Sequence, residues 1–125
     1  MSNSNIIETT KLENTPYDLT VYELLTNRLN HTNENIPIYK VINTEGQCYL
    51  TDDGFTLSQL KRHGVEIKTS GETSDRLNDL LVDYYVHRCL WENDLYTGLY
   101  SEDAIDDEVT NFLDAIEAVY KEFLG

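Results

Sequence analysis

Basic residues are what this chain most lacks: nine Lys and Arg stand against 23 Asp and Glu, giving a formal net charge of −14 over 125 residues. A field of that sign repels nucleic-acid phosphates and anionic membranes, and it attracts basic protein surfaces. Direct binding to nucleic acid or to a membrane is therefore not expected. Long apolar runs are missing too. No stretch approaches the roughly 18–20 apolar residues of a membrane span. The opening residues, Met1 to Asn5, have neither the basic nor the apolar region of a secretory signal. The expected location is the cytoplasm.

Cysteine is scarce: Cys48 and Cys89 belong to no C-x-x-C pair, and both lie in apolar, strand-like stretches, as reduced buried thiols would. With His31, His63 and His87 they show no zinc-ligand spacing. The six Gly are scattered, so there is no phosphate-cradling loop, and no Ser sits in a nucleophile elbow. No cofactor is implied, and no catalytic signature names a reaction.

What remains is enough for one folded domain. Apolar residues make up 40% of the chain and nine Tyr are present, which argues against disorder. The acid is unevenly spread: beyond residue 91 a single base, Lys121, faces ten acids. Residues 1–14 are polar and are expected to form a flexible arm, with a single domain over 15–125.

Thr15-Pro16 resembles a helix start, and Leu19, Tyr22, Leu25 and Leu29 follow at helical spacing, predicting a helix over about 16–30. Two β-rich runs around Asn43-Thr44-Glu45-Gly46 predict a hairpin from Ile36 to Thr51. A short helix from Thr56 would stop at Gly64. A helix from Thr73 or Ser74 carries Leu77, Leu80 and Leu81. Alternation on either side of Glu92-Asn93-Asp94 predicts a second hairpin, about 86–92 and 95–100. Ser101 is expected to cap a long amphipathic helix with the stripe Ile105, Val109, Phe112, Ile116, Val119 and Phe123. The fold class is α+β: a small, largely antiparallel sheet from two hairpins, with helices packed on it and a long helix at the C-terminal end.

The run Cys48-Tyr49-Leu50-Thr51-Asp52-Asp53-Gly54-Phe55-Thr56 resembles a family of small uncharacterised proteins common in prophages and mobile elements of Gram-positive bacteria. It is most specific from Leu50 to Thr56, and residues 36–124 follow the family's order of elements. The resemblance implies a fold and a mobile-element context, not a reaction.

Two constellations are candidates for function. Asp52 and Asp53 at a strand end, with Glu66-x-Lys68 beyond, could form the acidic metal site of a nuclease or of an inactive relative. The favoured reading of the same run, Asp52-Asp53-Gly54, is a turn that helps cap the following helix. The acids late in the chain are the sharper signal. Glu92 and Asp94 sit at the hairpin turn. Glu102 and Asp103 open the last helix, and Asp103, Asp106, Asp107, Asp114 and Glu117 fall at steps that share one face of it.

An ordinary solvated face mixes Lys with Glu, because like charges at i,i+4 cost a few tenths of a kcal/mol each. Carboxylates so arrayed could stand in for phosphates, and in this the chain is similar to the DNA-mimic inhibitors of phages. The expected function is a small acidic interaction protein of phage or prophage type. It would occlude the basic surface of a bacterial nucleic-acid-binding defence protein, in the manner of anti-CRISPR or anti-restriction proteins. A structural or oligomeric accessory protein exposing Trp91 and Tyr96 is a third option. The oligomeric state is not readable from the sequence.

Overall fold

The structure, a computed structural model, describes residues 4–125. Six strands form one antiparallel sheet: β1 (Ile6–Lys11), β2 (Thr20–Leu29), β3 (Asn35–Ile42), β4 (Cys48–Thr51), β5 (Val86–Arg88) and β6 (Leu95–Thr97). Their order across the sheet is β1-β2-β3-β4-β6-β5. Three helices, α1 (Phe55–Arg62), α2 (Glu72–Val82) and α3 (Ile105–Leu124), complete the α+β domain. One buried cluster joins Leu24, Ile36, Ile38, Leu50, Val86 and Leu95 of the sheet to the helices, which therefore share one face of it.

The expected helix over 16–30 is instead β2. Tyr17 and Asp18 both take positive φ, so the segment after Pro16 is a tight turn rather than a first helical turn. The leucines fit a 3.6 period only loosely. Alternation fits the burial: Leu24 and Thr26 are buried, and Glu23, Leu25 and Asn27 between them are exposed. Pairing on both sides, to β1 and to β3, then satisfies the backbone. Thr26 also donates its hydroxyl to the Ile36 carbonyl (2.8 Å) beside a break in the β2–β3 register. Of the expected arm, residues 1–3 lie outside the described residues, and Ile6–Lys11 form the edge strand β1.

Both hairpins are present. In the β3–β4 turn Asn43 Oδ1 accepts from the amides of Glu45 (3.0 Å) and Gln47 (2.9 Å), and Gly46 supplies the positive φ that closes it. Helix α1 ends at Arg62, and Gly64, just beyond it, again takes positive φ. Ser101 does not cap with its side chain. The chain enters α3 through a single 3-10 turn, Glu102–Ala104, in which the Ala104 amide donates to the Ser101 carbonyl (3.0 Å). Val109, Phe112, Leu113, Ile116 and Val119 are fully buried on α3. Each such side chain contributes about 1.5–3 kcal/mol, which makes α3 the principal clamp on the sheet.

Candidate functional site

Because strand side chains alternate, the phase that buries Leu24, Ile38 and Leu50 sends its neighbours to the opposite, helix-free face. Cross-strand partners line up there. Glu23 pairs with Tyr39, Tyr39 with Thr51, Thr51 with Tyr96, and Tyr96 with His87. A parallel row runs Val21, Val41, Tyr49. Three half-buried tyrosine rings thus floor the open face, and the His87 ring lies 5.4 Å from that of Tyr96.

The floor is part of a trough. One hollow of about 480 Å³ is lined by Tyr49, Tyr96, His87 and Cys89 together with Glu92 and Asp94. A second, about 340 Å³, shares Tyr49, Glu92 and Asp94, and continues past Tyr39 and Asp53 to the loop between β1 and β2. The carboxylates at the junction are fixed by the β5–β6 turn, where the Asn93 amide donates to the Cys89 carbonyl (2.8 Å) and the Cys89 amide to the Asp94 carbonyl (2.9 Å). Asp94 Oδ2 accepts the Thr51 hydroxyl (2.9 Å), whereas its Oδ1 is buried with no hydrogen-bond partner. Burial, then Asp94 and Glu92, push the Tyr49 hydroxyl above its ordinary value; burial, then Glu23 and Asp53, do the same to Tyr39.

The turn itself is held by Arg88. Its guanidinium donates to the carbonyls of Ile67 (2.9 Å) and Lys68 (2.8 Å) and to Asn93 Oδ1 (2.9 Å). Burial lowers its pKa, and it meets oxygen acceptors rather than a carboxylate. Two large aromatics flanking β5 in the chain are exposed: Trp91, after it, is 96% exposed, and Tyr85, before it, 82%. Tyr85 also takes positive φ, an uncommon conformation for a bulky residue.

The eight acids expected to bind a partner separate into three groups. Glu92 and Asp94 line the trough. Glu102, Asp103, Asp106 and Asp107 gather where the chain enters α3. There Glu102 pairs with Lys40 (3.0 Å), while Asp103, Asp106 and Asp107 take part in no ion pair among the described residues. Asp107 lines a further hollow of about 440 Å³ that shares His87 and Leu99 with the trough. Asp114 and Glu117, a turn or more along α3, are engaged by Arg28 of β2. The helix face is therefore not one continuous acidic array. Its free charge lies at its N-terminal end, where it also suits the macrodipole.

The strand-end acids behave differently. Asp52 is fully buried, and its carboxylate accepts three backbone amides: Gly54 (3.0 Å) and Leu95 (2.8 Å) on Oδ1, and Thr56 (3.0 Å) on Oδ2. It caps α1 from three residues ahead of Phe55, the first helical residue, and ties that corner to β6. Burial pushes its carboxyl up, against these donors, which favour the charged form. Asp53, Glu66 and Lys68 are exposed. Among the described residues no three His, Cys, Asp or Glu gather as a metal cage. Both cysteines are free thiols, Cys48 buried and Cys89 half-buried. No described helix is long and apolar enough to cross a membrane.

The tyrosine floor was not singled out in the sequence. The signal was there: Tyr39 and Tyr49 stand out of phase with Ile36, Ile38, Cys48 and Leu50, so they must leave the core. Among known proteins, the model of a family described as Domain of unknown function DUF1828 matches residues 26–119, which covers β3 to β6, α1, α2, most of α3 and the three tyrosines of the trough floor. No curated protein and no solved structure matches the chain.

Proposed function

We propose, for a chain that belongs to the DUF1828 family of domains of unknown function, that it is a non-enzymatic interaction protein whose acidic surface covers a basic, nucleic-acid-binding surface of another protein. The observation that carries this reading is the uncompensated carboxylate group at the entry to α3. The nearby bases Arg28 and Lys40 are spent on Asp114, Glu117 and Glu102, which leaves Asp103, Asp106 and Asp107 without a counter-charge among the described residues. Carboxylates left in that state attract a cationic surface over a Debye length of about 8 Å at physiological salt. The sequence resemblance to prophage and mobile-element proteins suggests the setting: a bacterial defence protein as the target and anti-defence as the role.

The test is affinity capture from bacterial lysate, with and without competitor duplex DNA. The expected result is a basic partner that DNA displaces. Reversal of Asp103, Asp106 and Asp107 to Lys should abolish capture while circular dichroism stays unchanged. A partner retained by the reversed variant would end this reading.

The full exposure of Trp91 favours a second reading, a structural or oligomeric accessory role. Sedimentation at rising concentration decides it: growth in mass that Trp91→Ser removes supports self-association, and constant monomer mass excludes it. The nuclease reading is not favoured, since both oxygens of Asp52 are already committed to backbone amides.

A further inference from the structure

The trough on the helix-free face has a composition that the acids alone do not explain. Its floor is aromatic, its junction is carboxylate, and it crosses the sheet rather than running along a strand. From Glu23 in β2 to His87 in β5 the aligned row makes four inter-strand steps, which at the usual spacing is about 19 Å. That is the length of roughly six residues of extended chain at about 3.3 Å each.

We infer that this trough is a binding site for an extended, arginine-bearing segment of a partner protein, with the guanidinium groups stacked on Tyr39, Tyr49 and Tyr96 and paired to Glu92 and Asp94. The inference goes beyond the reading of the protein as a partner for basic surfaces: it adds a second recognition site, on the sheet, to the carboxylates at the entry to α3.

Three observations select this occupant. Asp94 presents one oxygen already satisfied by the Thr51 hydroxyl and another that is buried and unpartnered. Its carboxylate and that of Glu92 line both hollows with no Lys or Arg among the lining residues to neutralise them, so a cationic ligand supplies the counter-charge that the free protein lacks there. The rings beside it are tyrosines whose faces attract a cation. Arginine answers both at once: its planar, weakly hydrated guanidinium stacks on a ring while its fork pairs with a carboxylate. Lysine, a compact and strongly hydrated point charge, answers only the second. A nucleic-acid strand could stack on the same rings, but its phosphates would meet Glu92, Asp94 and Asp53, with no Lys or Arg among the lining residues of either hollow.

The trough is also preformed. Its β5–β6 wall is fastened by Arg88 to the segment before α2. Its β3–β4 floor is clamped from behind by the core, so little ordering is required on binding.

The experiment titrates the full chain with two hexapeptides, Arg-Gly repeated three times and Lys-Gly repeated three times, at about 0.15 M salt. Binding is followed by calorimetry and by the fluorescence of Trp91, the single Trp, next to Glu92. The arginine peptide should bind at least about fivefold tighter than the lysine peptide. Tyr49→Ala and Asp94→Asn should each weaken it about tenfold. Tyr49→Phe, which keeps the ring, should hold affinity within about twofold and serves as the control for folding. The pair Asp103→Asn with Asp106→Asn should leave peptide affinity within about twofold.

Equal affinity for the two peptides overturns the inference. So does an α3 variant that loses as much as Asp94→Asn, because the peptide would then be sensing only the general field. Loss in Tyr49→Phe equal to that in Tyr49→Ala removes the stacking and overturns it as well. Peptide binding that fails while α3-dependent, DNA-displaceable capture persists separates failure of this site from failure of the broader reading.

Discussion

Asp52 shows how one side chain can hold a corner of the fold. Three backbone amides, those of Gly54, Thr56 and Leu95, converge on its buried carboxylate. Asp52→Ala leaves them without a partner at once, and an unsatisfied buried donor costs about 1–3 kcal/mol. The expected loss is therefore about 3 kcal/mol or more, read as a lower urea midpoint at unchanged slope. Asp52→Asn keeps one acceptor oxygen but turns an NH₂ toward amide donors, and about 1–3 kcal/mol should be lost. A variant as stable as the parent would return Asp52 to the list of acids available for chemistry. Gly54 next door takes φ +81, and a Cβ there would sit 3.4 Å from the Glu92 carbonyl. Gly54→Ala should cost about 1 kcal/mol through backbone strain and should disturb the turn that aims Glu92. That Asp52-Asp53-Gly54 forms a turn was legible in the sequence. That Asp52 reaches Leu95 was not, because a carboxylate carries no mark of which distant amide it will accept.

At the scale of elements, the hairpins, the two shorter helices and α3 were legible because each has a strong period and marked ends: Gly46 and Gly64 at positive φ, and the apolar stripe of α3. Strand β2 was not. Leu19, Tyr22, Leu25 and Leu29 imitate a helical face, and only pairing with β1 and β3 decides against it. The misreading hid a functional consequence, since it placed Arg28 on a separate helix. As part of β2 it reaches α3, giving two hydrogen bonds to Glu117 (2.9 and 2.8 Å) and a third to Asp114. These carboxylates hold the guanidinium above its ordinary pKa, Glu117 first. Arg28→Met keeps the stem and removes the fork. It should cost about 1–2 kcal/mol, since two carboxylates then face each other without their cation. In a Glu117→Gln background the same change should cost about 1 kcal/mol less, a coupling readable by a double-mutant cycle. Strict additivity would mean that the contact contributes nothing to the seating of α3.

Over the whole molecule the governing quantities are the net charge of −14 and a set of groups that resist further ionisation. The hydroxyls of Tyr100 and Tyr120 are buried without a well-formed hydrogen bond, and burial pushes both above the ordinary tyrosine value, against the neighbouring Thr56 hydroxyl for Tyr120 and with help from Cys48, Glu108 and Glu102 for Tyr100. In the unfolded chain each ionises near pH 10. Above that pH the folded state binds more protons than the unfolded one, so stability falls as pH rises through the folded values. Asp52, also raised by burial, acts with the same sign at lower pH. His31, lowered chiefly by desolvation, acts with the opposite sign below about pH 6.5, but it is exposed and its effect is screened. Each new phenolate also adds negative charge to a chain that already repels itself, so salt should raise the unfolding temperature at every alkaline pH. The expected titration has a phenolate fraction that appears only together with the loss of far-ultraviolet ellipticity. Tyr120→Phe and Tyr100→Phe should leave stability at pH 7 unchanged or slightly higher, because each removes a buried hydroxyl that makes no well-formed hydrogen bond, and should move the alkaline transition upward. Phe variants that unfold at the parent's pH would show that the charge excess alone, rather than these two buried hydroxyls, sets the alkaline limit of the fold.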